Sequence, residues 1–337
     1  MVINALVYLF LNPILTFLRV PANVWDGMRD YLLIIFAGLI ATSLYNFFSC
    51  LLRALGNSSI PLVFLAISAI LNIVLDLLFV AVLPFGIKGA ALATILAQYV
   101  SGIGILIYVL LRCRELLPAK EELHFDRKIL KEILNLSFMT CVQQSVMNFG
   151  ILMVQGLVNS FGSIVMAAFA AAVKIDTFAY LPVQDFGNAY STFVAQNCGA
   201  GNKDRIRKGT HQAFALSIFF CVIISAAVFV FASPLMQIFV SKAETAVIAS
   251  GVHYLRIEGT FYCGICCLFL LYGYYRAIKR PEMSVVLTVI SLGTRVLLAY
   301  VLSACISETG IWLAIPIGWV LADATGLLCM KMKKYAL

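Results

Sequence analysis

The sequence predicts an all-α polytopic membrane protein: two parallel six-helix lobes related by a pseudo-twofold axis along the membrane normal, the first truncated to four helices. Three observations predict it. Of the 337 residues, 62% are hydrophobic and only 12% are charged. Apolar runs of about 20 residues recur from end to end, and a helix of that length crosses the roughly 30 Å hydrocarbon core. Short motifs from the first third of the chain return later at one constant offset.

Ten spans are expected, near 1–18, 31–52, 61–83, 89–111, 133–158, 164–194, 210–232, 247–273, 283–304 and 311–331. A soluble α-protein would carry charged faces beside narrower apolar stripes. The first run, "MVINALVYLFLNP", has no basic stretch before it and does not read as a cleavable signal. If the segments after every second span are cytoplasmic, they hold 17 of the 24 basic residues. Six of these follow span 4 (Arg112, Arg114, Lys120, Arg127, Lys128, Lys131) and four follow span 6 (Lys203, Arg205, Arg207, Lys208). The positive-inside rule then places both termini in the cytoplasm. The net charge of +8 thus follows topology, and nucleic acid is not an expected partner.

The repeat fixes the expected domains. "YLLI" at Tyr31 returns as "YLRI" at Tyr254, and "RALG" at Arg53 as "RAIK" at Arg276. Ser68 and Ser291 keep the same offset. A period of six spans preserves orientation, so the copies should be parallel. The second copy has four spans before "RAIK", whereas the first has two before "RALG". The expected division is therefore a truncated lobe over 1–112, a basic cytoplasmic linker over 113–131 and a complete lobe over 132–337, with two helices missing ahead of Met1.

Polar residues inside the spans mark candidate sites. Asn72 and Asp76 lie one helical turn apart and share a face with Ser68. Thr94 and Gln98 form a stripe on the next span, and Thr42 and Asn46 one on span 2. Hydroxyls and amides often join membrane helices to one another, which suits Ser68. An intramembrane carboxylate is costly, so Asp76 is a functional-site candidate. It can take a proton when desolvated, or bind a hard cation with amide and hydroxyl oxygens. In the second half Lys174, Asp176, Asp185, Arg256, Glu258 and Arg295 supply three charges of each sign, enough for a structural network or for contacts to substrate or protons. Gln144 and Asn148 add polar groups on span 5, and Pro182 could open the helix near Asp185 towards a cavity.

The sequence gives no support for an enzyme. Cys263, Cys266 and Cys267 form "CGICC" in an apolar run, with no histidine or carboxylate completing a metal set, so they read as small buried hydrophobes. No nucleophile–base constellation or phosphate-binding loop occurs.

"RALGNSSIPLVFLAISAILNIVLDLLFV", "GIKGAALATILAQ" and "KIDTFAYLPVQDFGNAYSTFVAQNCGAGNKDRI" together resemble the multidrug and toxic compound extrusion (MATE) transporters. The resemblance implies twelve helices in two lobes, with the missing part as helices 1 and 2. It also implies exchange of Na+ or H+ for small organic, often cationic, compounds, with no cofactor beyond the coupling ion. Members with a cation site in the first lobe use an Asn and an Asp one turn apart and a Thr on the next helix, which Asn72, Asp76 and Thr94 match; if the ion is sodium, these three are its ligands. The family site also draws an Asp from helix 1. Asn46, Ser68, Gln98, Gln144, Asn148, Asp176, Asp185 and Glu258 are candidates to line the cavity. The expected protein is a monomeric, multi-pass protein of the cell (inner or plasma) membrane. The alternatives are a lipid-linked oligosaccharide flippase of the same superfamily and a non-transporting membrane fragment.

Overall fold

The structure, a computed structural model, describes residues 2–17, 22–116 and 125–331. Part of the expected linker (117–124) and Arg19, Lys333 and Lys334 lie outside them. No strand occurs among the described residues. The chain divides into two units, Met1–Phe125 and Asp126–Leu337. The first holds α1 (Val2–Phe17), α2 (Ala22–Ala37), α3 (Leu39–Ala54), α4 (Ser59–Asp76) and α5 (Gly86–Arg112). The second holds α6 (Arg127–Asn159), α7 (Ser163–Gly199), α8 (Lys203–Phe239), α9 (Thr245–Thr260), α10 (Tyr262–Ala277), α11 (Pro281–Ile306) and α12 (Glu308–Lys331).

Among the described residues, eight helices are long and apolar enough to cross a membrane, or nine if α9 and α10 make one bent span. The expected span 1–18 is a shorter apolar helix of 16 residues, about 24 Å at 1.5 Å per residue. Elsewhere the helices outrun the hydropathy. The expected span 133–158 begins at Arg127, because Asp126 caps it: its Oδ1 accepts from the amides of Lys128 (2.7 Å) and Ile129 (3.4 Å). The span expected at 210–232 runs from Lys203 to Phe239, its basic first turns being good helix formers outside any apolar window.

Two spans are interrupted. α2 and α3 part at Gly38, and α9 and α10 part at Phe261 with a bend of 51°. All four bounds of the first pair recur in the second at the offset that separates Tyr31 from Tyr254. The same offset relates Gly56 (φ 85°) after α3 to Lys279 (φ 60°) after α10. A left-handed residue commonly ends a helix, and glycine takes that conformation without steric cost where lysine does not. Lys279 pairs with Glu132 on α6 at 2.5 Å, and this hydrogen-bonded carboxylate raises its pKa above the ordinary lysine value.

Lipid chains are as apolar as leucine, so helices in a bilayer are held by close packing and by hydrogen bonds between them. In the first unit, the Ser68 hydroxyl donates to Ala97 O (2.8 Å), joining α4 to α5. The Tyr99 hydroxyl donates to Ala37 O (3.1 Å), a carbonyl freed by the Gly38 break. A Cβ at Gly102 would stand 2.6 Å from Ala41 O, so α3 and α5 meet there backbone to backbone. In the second unit, Gly273 on α10 faces Gly187 O on α7 with the same 2.6 Å clearance. This unit carries one continuous core, including Trp312, Leu255, Tyr275 and Leu271, whereas the first has a small buried cluster of Leu52, Ile105 and Val109.

Gly102→Ala should therefore force α3 away from α5 and destabilise the first unit by about 1–3 kcal/mol, the usual cost of overpacking. Gly156→Ala, with no atom within 4 Å of the added Cβ, should be near neutral. Thermal unfolding of the purified protein in detergent, comparing the two variants, measures the difference.

Candidate functional site

Within the second unit α6, α7, α9, α10, α11 and α12 enclose a cavity of about 200 Å³. Its polar end holds two acids, Asp176 on α7 and Glu258 on α9, 8% and 7% exposed. The Tyr262 hydroxyl donates to Asp176 Oδ1. Tyr254 lines the same end of the cavity and interacts electrostatically with both carboxylates. Arg295 on α11 acts electrostatically on both acids. Yet it forms no ion pair within 4.0 Å among the described residues. Asp176 Oδ2, Glu258 Oε2 and Arg295 Nε are all buried without a hydrogen-bond partner.

Local sequence accounts for much of this. Tyr254, Glu258 and Tyr262 recur at intervals of four and would form one helical stripe; the break at Phe261 turns the last of them towards Asp176. Tyr254 is propped from behind by a buried aromatic cluster. Trp312 stacks on Phe169 at 5.4 Å and meets Tyr254 edge-on at 4.8 Å. Phe169, Tyr180, Phe269, Tyr272 and Trp319 supply aromatic surface to the cavity.

Two carboxylates facing one guanidinium leave an excess negative charge when both are ionised, and an uncompensated buried charge is expensive. Uptake of one positive charge relieves it. A proton, an alkali cation or an organic cation seated against the aromatic rings would each serve.

The first unit holds the other candidate set. Ser68 bonded to Ala97 fixes the antiparallel register of α4 and α5, and that register puts Asn72 level with Thr94. Asn72 Nδ2 and Asp76 Oδ1 are buried without hydrogen-bond partners. The Thr94 hydroxyl donates to Ala90 O (3.0 Å), leaving its oxygen lone pairs to accept or to coordinate. Asp76 is the last α-helical residue of its span; Leu77–Val82 continue as a π-helix. Such segments recur at functional sites, and nothing in the sequence signals this one.

The remaining candidates scatter. Asp176 and Glu258 line the cavity of the second unit. Ser68 serves as a helix-joining hydroxyl, and Gln98 packs against the break at Gly38. Gln144 and Asn148 on α6 and Asp185 on α7 are exposed and outside the cavity lining; Asp185 falls on another face of α7, whereas Gln144 and Asn148 share a helix face with the lining residues Met147, Ile151 and Gln155. Asn46 on α3 is likewise exposed. The six charges that could form one network or contact substrate or protons do not all converge: Asp176, Glu258 and Arg295 line the cavity, whereas Lys174 and Arg256 stand over Phe239 and Phe229. Sequence reasoning misses the tyrosines at 254 and 262, although their spacing about Glu258 is the available signal. It also misses Asp323 on α12, a lone acid in an apolar span, which is buried with Oδ1 unpartnered and lies outside the cavity lining.

The MatE family model matches residues 1–78 and 136–301. The chain is 31% identical over 323 residues to the "Probable multidrug resistance protein YpnP" of Bacillus subtilis (strain 168), covering 96% of this chain and 72% of that protein. It is 27% identical over 282 residues to the "Probable multidrug resistance protein NorM" of Thermotoga maritima, covering 82% of this chain and 60% of that relative, less than two thirds of its length. Its fold is similar to the crystal structure of the Vibrio cholerae MATE transporter VcmN in the bent form, with a TM-score of 0.89 at 21% identity over 97% of this chain and 74% of that one.

Tyr262→Phe removes the hydroxyl donated to Asp176 and should lower stability by about 1–3 kcal/mol, the cost of a buried acceptor left unmade. In a double-mutant cycle with Asp176→Asn the two losses should overlap rather than add. Thermal unfolding of the four proteins in detergent gives the coupling.

Proposed function

The chain belongs to the MatE family of multidrug and toxic compound extrusion transporters, and we propose that it exports small organic, often cationic, compounds in exchange for Na+ or H+. Members of this family are transporters rather than enzymes, and the chain is a multi-pass membrane protein. The observation that carries the proposal is the enclosed pair Asp176 and Glu258, each with an unsatisfied oxygen, in a cavity walled by aromatic rings. That pocket suits an organic cation or the ion it is exchanged for. Both relieve the same excess charge, so occupancy by one disfavours the other.

In the first unit the coupling ion is assigned to Asn72, Asp76 and Thr94. Carboxylate, amide and hydroxyl oxygens form a hard donor set suited to Na+, and Asp76 alone could carry H+. The repeat supports this assignment. Ser291 and Arg295, which line the second unit's cavity, are the repeat counterparts of Ser68 and Asn72. The face of α4 bearing Ser68, Asn72 and Asp76 is thus the counterpart of a face that lines a polar site. The units are read as parallel lobes over 1–112 and 132–337, joined by the basic segment 113–131, in a monomer of the cell membrane with cytoplasmic termini. Recurrence of four helix bounds at one offset supports that reading. Each ligand then biases the transporter towards whichever access state binds it better.

A flippase for lipid-linked oligosaccharides is less well supported, since a pyrophosphate calls for a cationic cavity and this one holds two acids to one guanidinium. The test is ethidium efflux from proteoliposomes containing the purified chain, under an imposed Na+ or pH gradient. Asp76→Asn and Glu258→Gln should each lower gradient-driven efflux at least about tenfold, the scale of 1.4 kcal/mol or more in coupling. Asp185→Asn should leave it intact. Undiminished efflux in both of the first two variants would sink the coupling assignment; no efflux from the parent chain under either gradient would favour a non-transporting protein.

A further inference from the structure

Lys174 is a cation that the transport reading leaves without a task. It lies inside the apolar helix α7, and its side chain is exposed. No carboxylate comes within 4.0 Å of it among the described residues. Asp176, two residues on, faces the cavity on another side of α7. The Lys174 ammonium instead stands 5.8 Å from the centroid of the Phe239 ring, at the carboxyl-terminal end of α8. A lysine within a span extends its stem along apolar surface to bring its charge to the interface. Here the side chain reaches the end of α8, and no carboxylate among the described residues meets it there.

An apolar groove begins at the same ring. It runs between α7 and α8, holds about 480 Å³, and is lined by residues that include Ile175, Phe178, Val228, Phe231, Ile238 and Phe239. Ile224 also lines it, so the groove follows α8 from Phe239 inwards for about fifteen residues, roughly 22 Å at 1.5 Å per residue. That exceeds half of the roughly 30 Å hydrocarbon core and suits one extended acyl chain. Phe178, Phe231 and Ile238 are 77%, 57% and 69% exposed along it.

We propose that this groove binds an anionic phospholipid, with one acyl chain between α7 and α8 and the headgroup phosphate on Lys174. Charge complementarity selects the class. A zwitterionic headgroup carries its own ammonium beside the phosphate, whereas an anionic headgroup leaves the phosphate to be neutralised by the protein. Phe239 belongs to both parts, closing the apolar groove and holding the ammonium over its mouth.

Native mass spectrometry of the purified full chain, titrated with dioleoylphosphatidylglycerol or dioleoylphosphatidylcholine, tests this. The parent protein should retain the glycerol lipid about fivefold better, the preference that one basic residue near a membrane surface provides. Lys174→Gln should bring the ratio to about one, and Lys174→Arg should keep the preference. Ala227→Trp, which fills the groove, should weaken retention of both lipids. Excess glycerol 3-phosphate should fail to displace the lipid, because it lacks the chain. Equal retention of the two lipids by the parent, no adduct of either, an unchanged ratio in Lys174→Gln, a lost preference in Lys174→Arg, unchanged retention in Ala227→Trp, or displacement by glycerol 3-phosphate would each overturn the proposal.

Discussion

A carboxylate in hydrocarbon has no water to turn to, so the protein must enclose it and supply its partners. Much of the second unit follows from that constraint at Asp176 and Glu258. The span carrying Glu258 breaks at Phe261, which brings Tyr262 within reach of Asp176. The aromatic cluster of Phe169, Tyr254 and Trp312 fixes Tyr254 beside both acids. The glycine contact between Gly187 and Gly273 lets α7 and α10 approach closely enough to close the pocket. The two acids are buried, yet each keeps an oxygen without a hydrogen-bond partner.

The first unit meets the same constraint differently. Asn72 and Asp76 are only half-buried, and the sole fully buried residue of their helix is Pro61. Under the proposed coupling role an ion must enter and leave, and a half-buried site at the margin of a helix pair suits that passage. The π-helix directly after Asp76 marks the point where α4 departs from regular packing, and its Phe79 stacks on Phe85 at 5.9 Å.

Landmarks of the first unit recur in the second at one offset. The interruption at Gly38 recurs at Phe261, and the left-handed position of Gly56 recurs as Lys279, held by Glu132. Asn72 corresponds to Arg295, and Asp76 to Ala299. At those positions the amide of the first unit stands where the second has a guanidinium, and the acid where the second has alanine.

Most of the spans, the constant repeat offset and the candidacy of Asp76, Asp176 and Glu258 were legible in the sequence. Hydropathy over a window of about 20 residues, and charge within such a window, are local properties. Tertiary structure alone decided which polar residues meet. Asp176 joins Glu258 and Tyr262 from a distant helix, while Asp185, on the same helix as Asp176, falls on an exposed face. Lys174 and Arg256, grouped by charge with the acids, turned to aromatic rings on α8. Periodicity states which residues share a helix face; the rotation of that helix against its neighbours, set by glycine contacts, helix breaks and aromatic packing between distant segments, states what the face looks upon.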